Sequence, residues 1–202
     1  MQSLARAAPS ATLVGFDLSP IALDLACRRG HDRLLRANVE LLPFRPASFD
    51  AVVSADVLYH RGVIDDAAAL RELARAVKPG GVVLLNLPAH PKLRGAHDEV
   101  IHTARRYSRG DVRRIAAAAG LEVARLCWFN CALFPVALAV RRLSRGGAAR
   151  SDVRLPPAPV NALLSAWMRA EAWLALRLPL PFGLSLFAIL SKPFPSDPPG
   201  RS

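Results

Sequence analysis

Short apolar runs alternate along the chain with longer stretches in which apolar residues recur every three or four positions, the pattern of strands separated by helices. "ATLVGFD" (11–17) predicts a strand, and "SPIALDLACRRG" (19–30) predicts a helix with Ser19 as N-cap, Pro20 at the first helical position and Gly30 as its stop. A second strand is expected within "RLLRANVELLPF" (33–44) and a third within "FDAVVSADVLYH" (49–60), centred on the buried run 51–54. In "DDAAALRELARAVKPGG" (65–81), Leu70, Leu73 and Val77 share one face, Asp65 or Asp66 stands at the start, and Lys-Pro-Gly-Gly gives a stop. "VVLLNLPA" (82–89) reads as the fourth strand. Ser108 and Asp111 form a capping-box pattern opening a helix through Ala119, closed by Gly120 before the strand "LEVARLCWF" (121–129).

Strands and helices alternating at these lengths define an α/β class with a doubly wound, mostly parallel, Rossmann-like sheet. From about Asn130 to Pro181 the pattern changes to two apolar helical stretches, 131–145 and 160–178, flanking the Pro-rich "LPPAPV". The strand-like "LSLFAIL" (184–190) and a polar, Pro-rich tail follow. The expected organisation is a core over 1–129, a helical insert or lid over 130–181, the last core strand over 182–193, and a frayed tail over 194–202.

Composition narrows the partners. The 202 residues are 52% hydrophobic with mean hydropathy +0.23, a foldable balance suited to one domain. Lys plus Arg number 27 against 16 acids, and only Lys78, Lys92 and Lys192 are lysines. The resulting +11 suits an anionic partner. Arginines dispersed among alanine and leucine, with no aromatic-rich strand, argue against specific nucleic-acid binding. Cys27, Cys127 and Cys131 lack disulfide or zinc spacing and read as free thiols of a reducing compartment. Neither a signal peptide nor a transmembrane helix is expected, so the predicted location is cytoplasmic, peripheral to a membrane at most.

Asp17 poses the functional question, because it ends an apolar strand. At the carboxyl end of a strand in an open α/β sheet, an acid can accept hydrogen bonds from both hydroxyls of a ribose. The competing explanation is that it merely caps the following helix beside Ser19. "VGFDLSPIALDLA", "RANVELLPF", "FDAVVSADVLYH" and "LRELARAVKPGGVVLL", in this order, resemble class I S-adenosylmethionine-dependent methyltransferases of the small-molecule type. The resemblance runs from Thr12 to Asn130 and more loosely to "LSLFAILSKP". It implies that Asp17 binds the ribose hydroxyls of S-adenosylmethionine and Leu18 packs on the adenine. Asn38 would face the adenine amino group, the Val39 backbone would meet the ring edge, and Ser54 and Ala55 would line the methionine end. The family's glycine-rich turn lies about 20 residues before the ribose acid, which here falls ahead of Met1. The expectation is therefore a sheet without its first, central strand.

Methyl transfer from a sulfonium needs alignment and exclusion of water more than acid catalysis. Where the acceptor must lose a proton, the candidate bases are His60, after the third strand, and His97 and Asp98 in "AHDEVIH". A loop histidine bonded to backbone and a helix-start cluster are the ordinary alternatives. His97 and His102, five apart, do not share a helical face, and no metal is expected. Arg105, Arg106 and Tyr107 could grip a substrate oxyanion or simply form a solvated face. The aromatic residues of the insert, with Arg141, Arg142, Arg145 and Arg150, suit a small-molecule or lipid-like acceptor and a peripheral membrane contact; packing on the core or on a second subunit is the alternative. Two rivals remain. A short-chain dehydrogenase would need Lys four residues after its Tyr, yet Val63 follows Tyr59 and Asp111 follows Tyr107. A degenerate methyltransferase-like module would bind a partner or membrane without catalysis.

Overall fold

The computed structural model describes residues 1–93, 103–131, 134, 157–175, 177–178 and 180–195. Among the described residues five α-helices and six strands follow in chain order: α1 (Gln2–Ala7), β1 (Gly15–Asp17), α2 (Pro20–Arg28), β2 (Leu34–Arg36), β3 (Phe49–Ala55), α3 (Asp66–Ala76), β4 (Val77–Pro88), α4 (Arg109–Ala118), β5 (Glu122–Phe129), α5 (Ala158–Ala175) and β6 (Ser185–Ser191).

Local chemistry sets the helix starts. Ser19 Oγ accepts from the Ala22 N–H at 3.3 Å with Pro20 at the first turn of α2. Asp65 Oδ1 takes the N–H groups of Ala67 and Ala68 at 2.8 and 3.0 Å and opens α3. Ser108 and Asp111 close a reciprocal capping box on α4. The far end of α3 is finished from a distance: Lys192, just after β6, donates to the carbonyls of Ala74 and Val77 at 2.6 and 2.7 Å. A Lys192→Met substitution removes both charge-assisted bonds and should cost about 2 kcal/mol; chemical denaturation checks this, with the loss appearing in the midpoint rather than the slope.

The strands run mostly in one direction. Parallel pairing joins β1 to β2 (Gly15↔Leu34 to Asp17↔Arg36) and β3 to β4 (Ala51↔Val82 to Ala55↔Asn86). β6 runs antiparallel between β4 and β5, giving the order β3-β4-β6-β5 in a four-stranded sheet. Val83, Leu85 and Leu87 of β4 and Leu186, Ala188 and Leu190 of β6 are sealed against Leu70 and Leu73 of α3 and Val112 and Ile115 of α4. Because side chains alternate along a strand, Leu126 of β5 joins this core while Arg125 faces the other way and donates to the Ala175 carbonyl of α5. Helices thus cover both faces, as a doubly wound architecture requires.

Four boundaries differ from the sequence expectation, the first being β1, expected over 11–17 and confined to Gly15–Asp17. The second strand is confined to Leu34–Arg36 and the third stops at Ala55, where Asp56 turns into the left-handed region (φ 60°). The Lys-Pro-Gly-Gly segment does not end in a loop; α3 passes at Val77 directly into β4. Pairing of Phe49 with Val77 captures that segment, and Gly81 permits it, since a Cβ there would stand 2.6 Å from the Asp50 carbonyl oxygen.

The sheet is also divided. β1–β2 forms a separate two-stranded unit, and β1 and β3 each keep one edge unpaired among the described strands. Between them lies a cavity of about 410 Å³ walled by Met1, Leu4, Phe16, Phe44 and Val53.

Candidate functional site

The described ends of β1, β2 and β3 all point the same way and open on a second cleft, of about 520 Å³, where the strand order departs in opposite directions. Such a switch point is where α/β sheets bind ligands, and the volume falls within the range of about 300 to 1,000 Å³ typical of small-molecule sites. Its walls include Asp17, Leu18, Asn38, Val39, Asp56 and His60.

Asp17 ends β1 and is exposed to the cleft. Its Oδ1 accepts from the Ser19 N–H at 2.8 Å, so the capping explanation holds for one oxygen. Only that atom is used by the turn, which leaves Oδ2 for a ligand. Leu18 projects beside it, half exposed. Asn38 Oδ1 accepts from the Glu40 N–H at 3.0 Å, fixing the amide and keeping one oxygen lone pair available. Val39 also lines the cleft and is buried in the core cluster.

The loop carrying Asn38 and Val39 is pinned by α3. Glu40 Oε1 accepts from the Asp65 N–H at 2.8 Å, Glu72 Oε2 from the Leu42 N–H at 3.2 Å, and Arg75 donates to the carbonyls of Leu42 and Phe44 at 3.0 and 2.8 Å. The Arg75 hydrogen bond holds the Glu72 carboxyl below its ordinary range, the Leu42 N–H adding to it. Asp65 is lowered by the N–H groups at the helix start and Asp111 by the Ser108 hydroxyl. Depressed folded values mean stability that is full above about pH 4.5 and lost as pH falls through the folded values. The thermal midpoint should therefore decline steadily below about pH 4.5, and Glu72→Gln should flatten part of that decline while lowering the midpoint at pH 7.

Ser54 and Ala55 fall on the neighbouring cavity between β1 and β3, and the buried Ser54 Oγ has no hydrogen-bond partner. One residue further on, Asp56 lines the cleft that Asp17 and Asn38 also line, a position the sequence reading did not assign. Its Oδ1 accepts from the Tyr59 hydroxyl at 3.0 Å and from Asn86 Nδ2 at 3.2 Å. The signals were present: an acid ending a second apolar strand, and a lone Asn inside "VVLLNLP". His60 lies on the cleft, with Nδ1 accepting from the Gly62 N–H at 3.1 Å. That bond places the proton of a neutral ring on Nε2.

His97 and Asp98 lie outside the described residues, as do Arg141, Arg142, Arg145 and Arg150. The oxyanion grip considered for 105–107 is corrected by the structure, because these side chains fasten their own segment. Arg105 pairs with Asp66 at 3.3 Å and donates to the carbonyls of Val63 and Ile64; Arg106 donates to the Ala89 carbonyl. Tyr107 is buried and donates to Asp66 Oδ2 at 2.7 Å, and burial followed by the Asp66 carboxylate raises its phenol far above the usual value.

The nucleoside half of the cleft fits S-adenosylmethionine. An unengaged carboxylate oxygen suits the ribose diol, Leu18 offers an apolar face to adenine, and the acids Asp17 and Asp56 suit a cationic sulfonium.

In fold and in the layout of this cleft the chain is similar to class I S-adenosylmethionine-dependent methyltransferase domains. Residues 1–85 match the family model described as a methyltransferase domain. A ubiquinone/menaquinone biosynthesis C-methyltransferase UbiE of Syntrophotalea carbinolica is 36% identical over 103 residues, 47% of this chain and 43% of that protein. A demethylmenaquinone methyltransferase of Clavibacter sepedonicus is 37% identical over 103 residues, covering 48% of this chain and 41% of that one. The chain thus spans less than half the length of these relatives. An S-adenosylmethionine dependent methyltransferase of Mesorhizobium loti shares the fold, with TM-score 0.60 at 16% identity over 94% of this chain and 84% of that one.

Proposed function

We propose that the chain transfers a methyl group from S-adenosylmethionine to a small or lipid-like acceptor, a quinone-type ring being the class that the names of its relatives suggest. The carrying observation is the Asp17 carboxylate, set at a strand tip with one oxygen held by the turn and the other left for the ribose, on the same cleft as Asn38.

When bound, the cofactor supplies an electrophilic methyl group on a cationic sulfur. Asp17 fixes the ribose and contributes negative charge. Leu18 and the Val39 backbone bracket the base, and Asn38 offers its remaining lone pair to the amino group. Asp56, steadied by Tyr59 and Asn86, places a second carboxylate where positive charge must be accommodated. His60, on the wall of the cleft, stays a candidate for meeting the acceptor. His97 and Asp98 stay candidates for accepting a proton from the acceptor. The core over 1–129 and 182–193 would carry the cofactor and the 130–181 insert the acceptor contacts, in a cytoplasmic protein peripheral to a membrane.

Calorimetric titration with S-adenosylmethionine tests the reading. Saturable one-to-one binding, competed by S-adenosylhomocysteine and absent with a nicotinamide dinucleotide, is the expected result. No binding would favour the degenerate, non-catalytic module.

A further inference from the structure

The cleft beyond β1, β2 and β3 carries the opposite charge to the chain around it. The protein is net +11 with 27 Lys and Arg. Among the described residues, the titratable groups on the walls of the cleft are Asp17, Asp56 and His60, with no Lys or Arg beside them. Arg36 donates to the Leu18 carbonyl at 3.0 Å and Arg61 follows His60, but neither lines the cleft.

Asp56 is fixed by groups that leave one oxygen over. Its backbone stands in the left-handed region (φ 60°), and the Tyr59 hydroxyl and the Asn86 amide both donate to Oδ1, at 3.0 and 3.2 Å. Oδ2 has no hydrogen bond among the described residues. The size of the cleft makes this charge count. A space of about 520 Å³ is about 8 Å across, no more than the Debye length of about 8 Å at physiological salt, so a cation anywhere inside it feels the acids almost unscreened. The rest of the charge is dispersed along the chain and is screened according to its distance.

S-adenosylmethionine and its product S-adenosylhomocysteine share the nucleoside and the amino-acid end. They differ by one methyl group and one positive charge on sulfur. We propose that Asp56, steadied by Tyr59 and Asn86, makes this cleft selective for the cationic sulfonium over the neutral thioether. The inference rests on the cofactor reading above and gives it a direction. As the methyl group passes to an electron pair of the acceptor, the sulfur keeps the electrons of the broken bond and becomes neutral, so the donor is held by charge and the product is let go.

The test is calorimetric titration of the full chain at about pH 7.5 and about 150 mM salt, where an ordinary imidazole is mostly neutral. The ligands are S-adenosylmethionine, S-adenosylhomocysteine and the amine analogue sinefungin, whose ammonium stands in place of the sulfonium. The parent should bind the two cationic ligands about tenfold more tightly than S-adenosylhomocysteine. Asp56→Asn should erase that preference and leave the affinity for S-adenosylhomocysteine within about twofold. Its thermal midpoint should stay unchanged, because the amide oxygen still accepts from Tyr59 and Asn86 and asparagine tolerates the left-handed backbone. S-adenosylhomocysteine binding as tightly as either cationic ligand in the parent overturns the proposal, and this comparison decides alone if the variant fails to fold. An Asp56→Asn variant that keeps the preference overturns it, as does one that loses affinity for all three ligands alike, which would assign Asp56 to the loop. Those outcomes leave the cofactor reading standing. Binding of none of the three by the parent would remove that reading and this inference together.

Discussion

Replacing Asp17 by Asn is expected to weaken S-adenosylmethionine binding by about ten- to a hundredfold, the equivalent of one charged hydrogen bond of roughly 1.5 to 3 kcal/mol. The substitution separates the two uses of the side chain. An amide oxygen still accepts the Ser19 N–H that Asp17 Oδ1 takes at 2.8 Å, so the turn into α2 survives and the thermal midpoint should barely move. What disappears is the negative charge and the second acceptor facing the cleft. Asp17→Ala removes the turn bond as well and should lower both affinity and stability. Calorimetric titration beside thermal melts distinguishes the two variants. Unchanged affinity in the Asn variant would mean that the carboxylate serves only the turn, and the assignment of this cleft to the nucleoside would fall.

The largest stability effect should come from Gly183→Ala. This residue stands where the ends of β4, β5 and β6 converge. Its carbonyl accepts from His90 Nε2 at 2.9 Å, and the adjoining Leu184 carbonyl accepts from the Ala89 N–H at 2.8 Å. A Cβ at position 183 would lie 2.4 Å from the Phe129 carbonyl oxygen and 2.8 Å from the Phe129 nitrogen. Both are backbone atoms of β5, so no side chain can swing aside and the β5–β6 ladder must part at its end. A loss of about 3 kcal/mol, or roughly 10 °C in midpoint for a chain of this size, is expected. Gly110→Ala is the control: its Cβ would meet only Ser108 Oγ at an ordinary 3.6 Å, within α4, where alanine is the better helix former. If the two variants melt together, the junction at Gly183 is more compliant than its geometry implies.

Much of the architecture was legible because it is governed by neighbours in the chain. Ser19, Asp65 and Ser108 each cap with an oxygen two or three residues from the N–H groups they satisfy, and such spacing is written in the sequence. The apolar runs of β4 and β6 announced themselves as buried strands for the same reason. Asp17 stood out as a charge ending such a run. The Lys-Pro-Gly-Gly segment misled, since its local preference for a stop was overridden by pairing with β3. Asp56 went unassigned because its role rests on Tyr59, three residues on, and on Asn86, thirty residues away across the sheet. Arg105 and Tyr107 looked available for a ligand only while Asp66 and the Val63 carbonyl, their actual partners, were distant in sequence.

By itself the sequence determined the kinds of element, their order, and the acid at the end of the first apolar run, because periodicity and capping act over a few residues. Tertiary structure alone decided that β6 lies reversed between β4 and β5, that the sheet divides between β1 and β3, and that three strand ends meet around one cleft. Those outcomes depend on backbone edges and side chains brought together from opposite parts of the chain, and no local pattern encodes which edge will find which.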